Sequence, residues 1–578
     1  MAHAAIDPLT LEVFWSRLIA VVNEQATSLI WSAFSPSVAE AGDISACVFD
    51  SRGYMIAQAV TGTPGHINSM ARCIQHCLDA YPLETLEPGD VLITNDPWKT
   101  SGHLHDVTIV TPIFRDGRVV AFFGNICHLA DIGGRPFSAD ARELYEEGLF
   151  IPITKLFMAG KPNEELLKII RANVREPEAV VGDLHAMTAA NDVGGERLLE
   201  FMDEFGLERI EPLADEVISR SERAMRDAIA RLPDGVYRHQ VTMDGYDQPV
   251  TLAVTVTVRG SDLFVDYDGT SPASDYGINV VMNYTEAYTT FGIKCALVPD
   301  VPNNEGSFRP VHITAPVGSI LNCQPPAPVA GRHIIGQWLP SVVHGALAQA
   351  MPDRVLAEGS SNLWNTQFVG VDREGRPFTM LFFNSGGMGA RPNKDGLSST
   401  AFPSGVQGTP AEIVEARSPL MMVRREFRTD SGGPGKYRGG LGHWLVIRGV
   451  RAGKPYRFSP FFDRTNNPAR GYLGGKSGAP GVYELSDGRR PNPKETIWVD
   501  PETDIVIGLP GGGGFGDPLE RDPLAVRDDV LNELVSLERA REDYGVVLTA
   551  DLEVDWDATA RLRAARRAAA AGEGDADT

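Results

Sequence analysis

Residues Val91 to Gly134, VLITNDPWKTSGHLHDVTIVTPIFRDGRVVAFFGNICHLADIGG, constrain the fold more than any other part of the chain. Val107 to Phe114 alternates as a strand, Arg115-Asp116-Gly117-Arg118 turns it, and Val119 to Asn125 returns. An Asp-Gly pair between two such runs predicts a β-hairpin with a type I′ turn, because both central residues of that turn need positive φ. Strict pairing outward from the turn sets His105 opposite His128 and Asp106 opposite Cys127. Neighbouring residues on a strand point to opposite faces, so His103, Asp106 and His128 can converge only if the hairpin frays or bulges at its open end.

Each arm carries a His-x-x-Asp: His103 with Asp106, and His128 with Asp131. Imidazole nitrogens mixed with carboxylate oxygens suit a divalent ion such as Zn, Mn or Fe(II), where a thiolate set would indicate structural zinc. We take His103, Asp106 and His128 as candidate ligands, with Asp131 and Asp96 as a fourth ligand or a general base. The competing reading is a hydrogen-bonded strand end, with Asp96 as the cap of the Pro97 turn. A carboxylate at a strand end adds little packing, so Asp106→Asn is expected to remove activity and spare the fold.

With 578 residues, 43% of them apolar, the chain can bury several cores. A net charge of -23 argues against nucleic acid or anionic lipid as partner, both of which call for a basic face. MAHAAIDPLT lacks the apolar core of a signal peptide and no apolar run is long enough to span a bilayer, so the expectation is a cytoplasmic protein away from membranes. Six scattered cysteines are too few for a disulfide framework.

Asp7-Pro8 starts a long amphipathic helix, and Ile44 to Phe49 with Tyr54 to Ala59 forms a second hairpin. A helix follows over Ile67 to Tyr81, and a helical layer occupies 163–232. Near 234 the period returns to two, at Tyr237 to Met243, Val250 to Val258 and Leu263 to Tyr267. Further helices are predicted over Tyr284 to Ala296, over His333 to Ala350 with a break at Pro340, and over Asp528 to Tyr544, before a frayed and disordered tail. His333 and His344 read as buried or capping residues rather than ligands. The predicted fold class is mixed α+β and multi-domain: an N-terminal α/β region with hairpins and the metal site (1–233), a strand-and-helix middle region (234–359), a Gly-rich β region (360–520), and a C-terminal helix and tail (521–578). The Gly-rich runs hold no phosphate loop. Ser431-Gly432-Gly433-Pro434-Gly435-Lys436 has Asp430 where the first Gly should be and Tyr437 where a hydroxyl should bind Mg, and the Gly511 to Gly514 run lacks a lysine. Tight turns and close backbone approach are the roles left to them.

The run NDPW, His-x-x-Asp, Pro-x-Phe, then His-x-x-Asp-Ile-Gly-Gly resembles the signature of the hydantoinase B/oxoprolinase family. So do FSPSVAEAGDISACVFD (Phe34 to Asp50), PGHINSM (Pro64 to Met70), VPNNEG (Val301 to Gly306), PVAGRHIIGQ (Pro328 to Gln337), DSGGPGKYRGGLG (Asp430 to Gly442) and PGGGGFGDP (Pro510 to Pro518). The family includes N-methylhydantoinase subunits, the oxoprolinase C-terminal half and acetone and acetophenone carboxylase subunits. The resemblance implies a metal-dependent subunit of an ATP-driven hydantoinase or lactamase, acting on a cyclic amide within a hetero-oligomer. It implies ATP and Mg on a separate hydantoinase A-like ATPase subunit. A ketone carboxylase subunit is the alternative chemistry, and a non-catalytic scaffold or a self-sufficient metallohydrolase the alternative class. The resemblance also lifts Asp43 and His66 above ordinary loop residues, with His66 and Asp96 as catalytic candidates. His105 departs from the family pattern, and a supporting donor or a substrate contact is its expected role.

Overall fold

A computed structural model describes residues 7–60 and 62–574, with side chains to 569. The N-terminal region is a seven-stranded antiparallel sheet, in the order Met55–Gln58, Ile44–Asp50, Arg118–His128, Asp106–Arg115, Val91–Thr94, Thr154–Met158, Lys161–Pro162. Helices cover both faces, and the period of two along the central strands sorts their side chains between them. Phe122 and Ile126 pack with Met70, Cys73 and Ile74 of helix Pro64–Ala80. Phe123 and Cys127 face helices Pro8–Ser32 and Pro177–Glu204. Gly194 makes this second contact close, since a Cβ there would lie 2.5 Å from the Phe123 ring. Asp7 caps the first helix as expected, its carboxylate accepting from Leu9 N and Thr10 N at 3.1 Å.

The hairpin turn has Asp116 at φ 51° and Gly117 at φ 74°, the two positive values that the Asp-Gly pair predicts. The register departs from strict pairing. Phe114 faces Val119 but Ile113 faces Ala121, so Val120 is a bulge and every pair beyond it moves by one. Asp106 therefore faces His128, and Val107 rather than Asp106 faces Cys127. The bulge lies beside the turn and not at the open end.

The middle region is a four-stranded sheet, Val311–Thr314, Asp262–Asp266, Val250–Arg259, Gly235–Met243, with helix Leu339–Leu347 packed on it. Helix Met282–Leu297 bridges this helix to Pro64–Ala80, and the short helix Arg332–Gly336 lies at the open end of the hairpin. The helical break at Gln337 and Trp338 precedes Pro340, which sits in the first turn of the next helix. Beyond residue 360, two four-stranded sheets share one core through Phe368, Phe382, Phe458, Leu445 and Ile507. The C-terminal prediction needs correction: two short helices, Pro523–Leu531 and Leu537–Glu542, replace one helix over Asp528 to Tyr544, because Glu533 adopts φ 57° and breaks the first. A helix Trp556–Gly574 follows, and the predicted disordered tail falls at 575–578, outside the described residues.

The glycine runs lie side by side. Gly440 N donates to Met388 O, Gly512 N to Gly440 O and Gly433 N to Gly512 O, all within 2.9 Å. A Cβ at Gly512 would sit 2.1 Å from the Met388 carbonyl oxygen, so neighbouring backbones occupy the space of the side chain. The overall architecture is mixed α and β with several cores.

Candidate metal centre

The shifted register places Asp106 at the focus of the hairpin's open end, completely buried. Its two oxygens face different neighbours. Oδ2 takes Arg332 Nη2 and, at 2.8 Å, His66 Nε2. Oδ1 lies 2.7 Å from His103 Nε2 and 3.1 Å from His128 Nδ1. Ligand atoms of His103, Asp106 and His128 all fall within 4.8 Å of one another.

The donor set fits a divalent ion. His103 Nδ1 lies 3.0 Å from the Ala330 carbonyl, which can only accept, so its proton is assigned there and the Nε2 lone pair faces Asp106. Burial, with the Arg332 charge adding to it, pushes His103 down to about 3, so the ring is neutral. A lone pair and a carboxylate oxygen 2.7 Å apart repel unless a cation lies between them. His103 Nε2 and His128 Nε2 are both buried without a hydrogen-bond partner. Burial pulls the Asp106 carboxyl upward, but the Arg332 guanidinium and His66 on Oδ2 outweigh it and hold the group below the ordinary carboxylate range.

A small cavity of ≈ 30 Å³ opens on these atoms, room for one ion or water. Asp43, His66, Tyr284, Arg332, Gln337 and Asn365 contribute its polar wall, and Leu363, Phe383 and Val406 its apolar wall. Asp43 Oδ1 accepts from Thr63 Oγ1 at 3.0 Å and lies 3.9 Å from His66 Nδ1. Burial lowers the His66 pKa, but the Asp106 and Asp43 charges outweigh it and raise the ring above its ordinary range. His333 is buried, as expected, yet it also lines the cavity, with Nε2 unpartnered.

The two remaining acidic candidates stand apart from this cluster. Asp131 Oδ1 pairs with Arg175 Nη1 at 2.6 Å, and its other oxygen takes the Arg175 amide. Asp96 Oδ1 accepts from Trp98 N at 3.1 Å, the capping geometry of the Pro97 turn, and Lys99 Nζ approaches Oδ2 at 3.7 Å. His105 stacks on His128 with ring centroids 5.3 Å apart and meets Phe137 at a tilt with centroids 4.6 Å apart, and it does not line the cavity. Sequence reasoning did not single out Arg332, Tyr284, Gln337 or Asn365. The signal for two of them was PVAGRHIIGQ, which holds Arg332 and Gln337 and stands out among the family-like runs.

The sequence profile of the hydantoinase B/oxoprolinase family matches residues 7–518. The chain belongs to that family. Among its relatives, a Pseudomonas protein whose name makes it a putative D-/L-hydantoinase subunit is 32% identical over 96% of this chain and 98% of its own length. The crystal structure of the ATP-dependent caprolactamase from Pseudomonas jessenii is similar over 97% of this chain and 100% of its own, at 29% identity and TM-score 0.88. A nucleotide-free structure of acetone carboxylase matches 98% of this chain and 84% of its own at TM-score 0.87, and with 21% identity it bears on the fold. This hydantoinase B/oxoprolinase member thus shares one architecture with amide-hydrolysing and carboxylating enzymes. Among the described residues, no helix is long and apolar enough to cross a membrane.

Proposed function

We propose that this chain is the metal-dependent subunit of an ATP-driven cyclic amide hydrolase, working with a separate ATPase subunit of the hydantoinase A type. The observation that carries the reading is the buried pair His103 Nε2 and Asp106 Oδ1, two electron-rich atoms 2.7 Å apart facing a cavity of one-ion size. His103, Asp106 and His128 would hold a divalent ion (Mn, Zn or Fe), which would supply Lewis acidity toward a substrate oxygen or a water.

The chain's own residues do the rest. Arg332 and His66 occupy Asp106 Oδ2 and so orient Oδ1 toward the two histidines. The Ala330 carbonyl fixes the His103 tautomer, and Glu147 fixes Ala330 by accepting from Val329 N at 2.7 Å and Ala330 N at 2.8 Å. His66, set between Asp106 and Asp43, is placed to move a proton between the cavity and Asp43. Leu363, Phe383 and Val406 exclude water from the reacting carbon. Asp96 and Asp131 act in this reading as a turn cap and as the partner of Arg175. The names of the hydantoinase and caprolactamase relatives support amide hydrolysis, ATP use and a second kind of chain in the enzyme. The likeness to acetone carboxylase supports ketone carboxylation only through the fold, which places that chemistry second. The lack of a phosphate loop in the sequence agrees with nucleotide chemistry on another chain.

Elemental analysis of the purified chain should find about one divalent ion per chain, lost in a His103→Ala, His128→Ala double variant. Substrate-dependent ATP hydrolysis should appear when the chain is mixed with its ATPase partner and not with either alone. Stoichiometric metal in the double variant would remove the site. Steady turnover by the isolated chain without ATP would favour a self-sufficient metallohydrolase.

A further inference from the structure

Beside the metal cavity, across the Phe383 and Val406 side chains that line both, lies a larger cavity of ≈ 560 Å³. Arg425 and His443 set its chemistry. His443, on strand His443–Arg448, is 6% exposed, with Ser399 Oγ 3.0 Å from Nδ1 and no hydrogen-bond partner at Nε2. Burial, with the Arg425 charge adding to it and the Ser385 carbonyl opposing, pushes the imidazole down to about 4. The ring is therefore neutral. Nδ1 lies against the Ser399 hydroxyl, which can donate to it, and we assign the ring proton on that basis to Nε2, a buried atom without a partner. A buried donor without an acceptor costs about 1–3 kcal/mol unless something supplies one.

Arg425 lines the same cavity and gives Nη1 to the Thr409 carbonyl at 2.8 Å. Among the described residues no carboxylate lies within 4.0 Å of its guanidinium. Glu426, its neighbour in sequence, is turned to Arg424 at 2.9 Å. The Arg425 side chain is solvent-exposed, so the guanidinium is accessible to a ligand. Ser399 holds the arrangement from a left-handed backbone at φ 45°, unusual for a residue with a side chain and secured by its amide on Leu441 O at 2.8 Å.

We propose that this cavity binds an oxyanion carried by the substrate, a carboxylate or a phosphoryl group, between the Arg425 guanidinium and the Nε2–H of His443. The rest of the molecule then lies against Phe383 and Val406, with its reacting carbon toward the metal cavity. This orientation rests on the metal cavity being the reacting centre; the oxyanion site itself stands on Arg425, His443 and Ser399 alone.

The test uses the full chain, freed of metal by a chelator, titrated separately with inorganic phosphate and with ¹³C-acetate. Line width and shift are followed by ³¹P and ¹³C NMR. Saturable binding of phosphate alone identifies a phosphoryl group, and of acetate alone a carboxylate. Arg425→Gln, which can still reach the Thr409 carbonyl, should weaken that binding by about tenfold or more, the scale of one lost charge-assisted hydrogen bond, and Arg425→Lys by less. His443→Phe should weaken it as well. Saturation by neither ion, or equal binding by wild type and Arg425→Gln, would overturn the proposal. Metal content, measured on reloaded samples, should be the same in wild type and Arg425→Gln. A wild type that binds an oxyanion but no metal would refute the metal centre and leave the oxyanion site standing.

Discussion

Asp106→Asn keeps the side chain's shape and removes its charge, and the structure turns this from a test of chemistry alone into a test of the fold. Asp106 is completely buried and Arg332, its ion-pair partner, is 3% exposed. Without the carboxylate, the guanidinium keeps the Ser101 carbonyl and the face of Tyr284, 4.2 Å from its ring centroid, but no counter-charge. Removing one partner of a buried pair costs about 3–5 kcal/mol, and since an amide oxygen can still accept from Arg332 we expect the lower end, about 3 kcal/mol. The expectation that a strand-end carboxylate is replaceable without cost to the fold therefore does not hold. Because the chain has several cores, the measurement is local: hydrogen exchange of the amides in strand Asp106–Arg115, on metal-free protein, with and without Arg332→Met in the same background. Exchange should accelerate in Asp106→Asn and slow again in the double variant, where no charge is left unpaired. Protection in Asp106→Asn within about 0.5 kcal/mol of wild type would refute the argument, as would a double variant no better protected than the single one.

Burial raises the Glu147 carboxyl from 4.5 to about 8, against the pull of two backbone N–H donors. The native state thus holds a proton that the unfolded chain has released, and wild-type stability should fall as pH rises from 4.5 to 8. Glu147→Gln should match wild type near pH 4.5 and gain on it by up to about 4 kcal/mol toward pH 8, measured as hydrogen-exchange protection of the Val329 and Ala330 amides that bond to this side chain; a pH-independent difference would count against a protonated Glu147. Gly512→Ala should destabilise by about 3 kcal/mol or more, because its methyl would meet backbone rather than a movable side chain, and a thermal midpoint within 1 °C of wild type would contradict that packing. Chelation of the native protein should lower its melting temperature, and adding the divalent ion back should restore it. A chelated wild type with an unchanged midpoint would contradict binding at His103, Asp106 and His128.

The hairpin was legible because its turn chemistry is local: Asp116 and Gly117 alone demand the type I′ geometry seen. Its register was not, since nothing about Val120 marks it as the residue that bulges, and one extra residue reverses which side chains share a face. His103, Asp106 and His128 were legible as a pattern within a single stretch. Arg332 reaches Asp106 from 226 positions away, and no local periodicity encodes that encounter. The same holds for Asp131, whose sequence spacing copies that of Asp106 while Arg175, 44 residues on, draws its carboxylate aside. The single predicted helix over Asp528 to Tyr544 missed Glu533, where a left-handed residue ends one helix before Ser536 caps the next.

The interleaved glycine runs also bear on how this protein responds to temperature. The irregular segments joined through Gly433, Gly440 and Gly512 are held by amide–carbonyl pairs with almost no hydrocarbon between them. Melting such a layer hydrates peptide groups more than apolar surface, and peptide hydration lowers heat capacity where apolar hydration raises it. This layer should contribute less than the usual ~12–15 cal/mol/K per residue to the heat capacity of unfolding, giving it a flatter stability curve than the aliphatic cores beside it. On cooling, those cores lose part of their hydrophobic driving force, while the glycine layer keeps its cohesion.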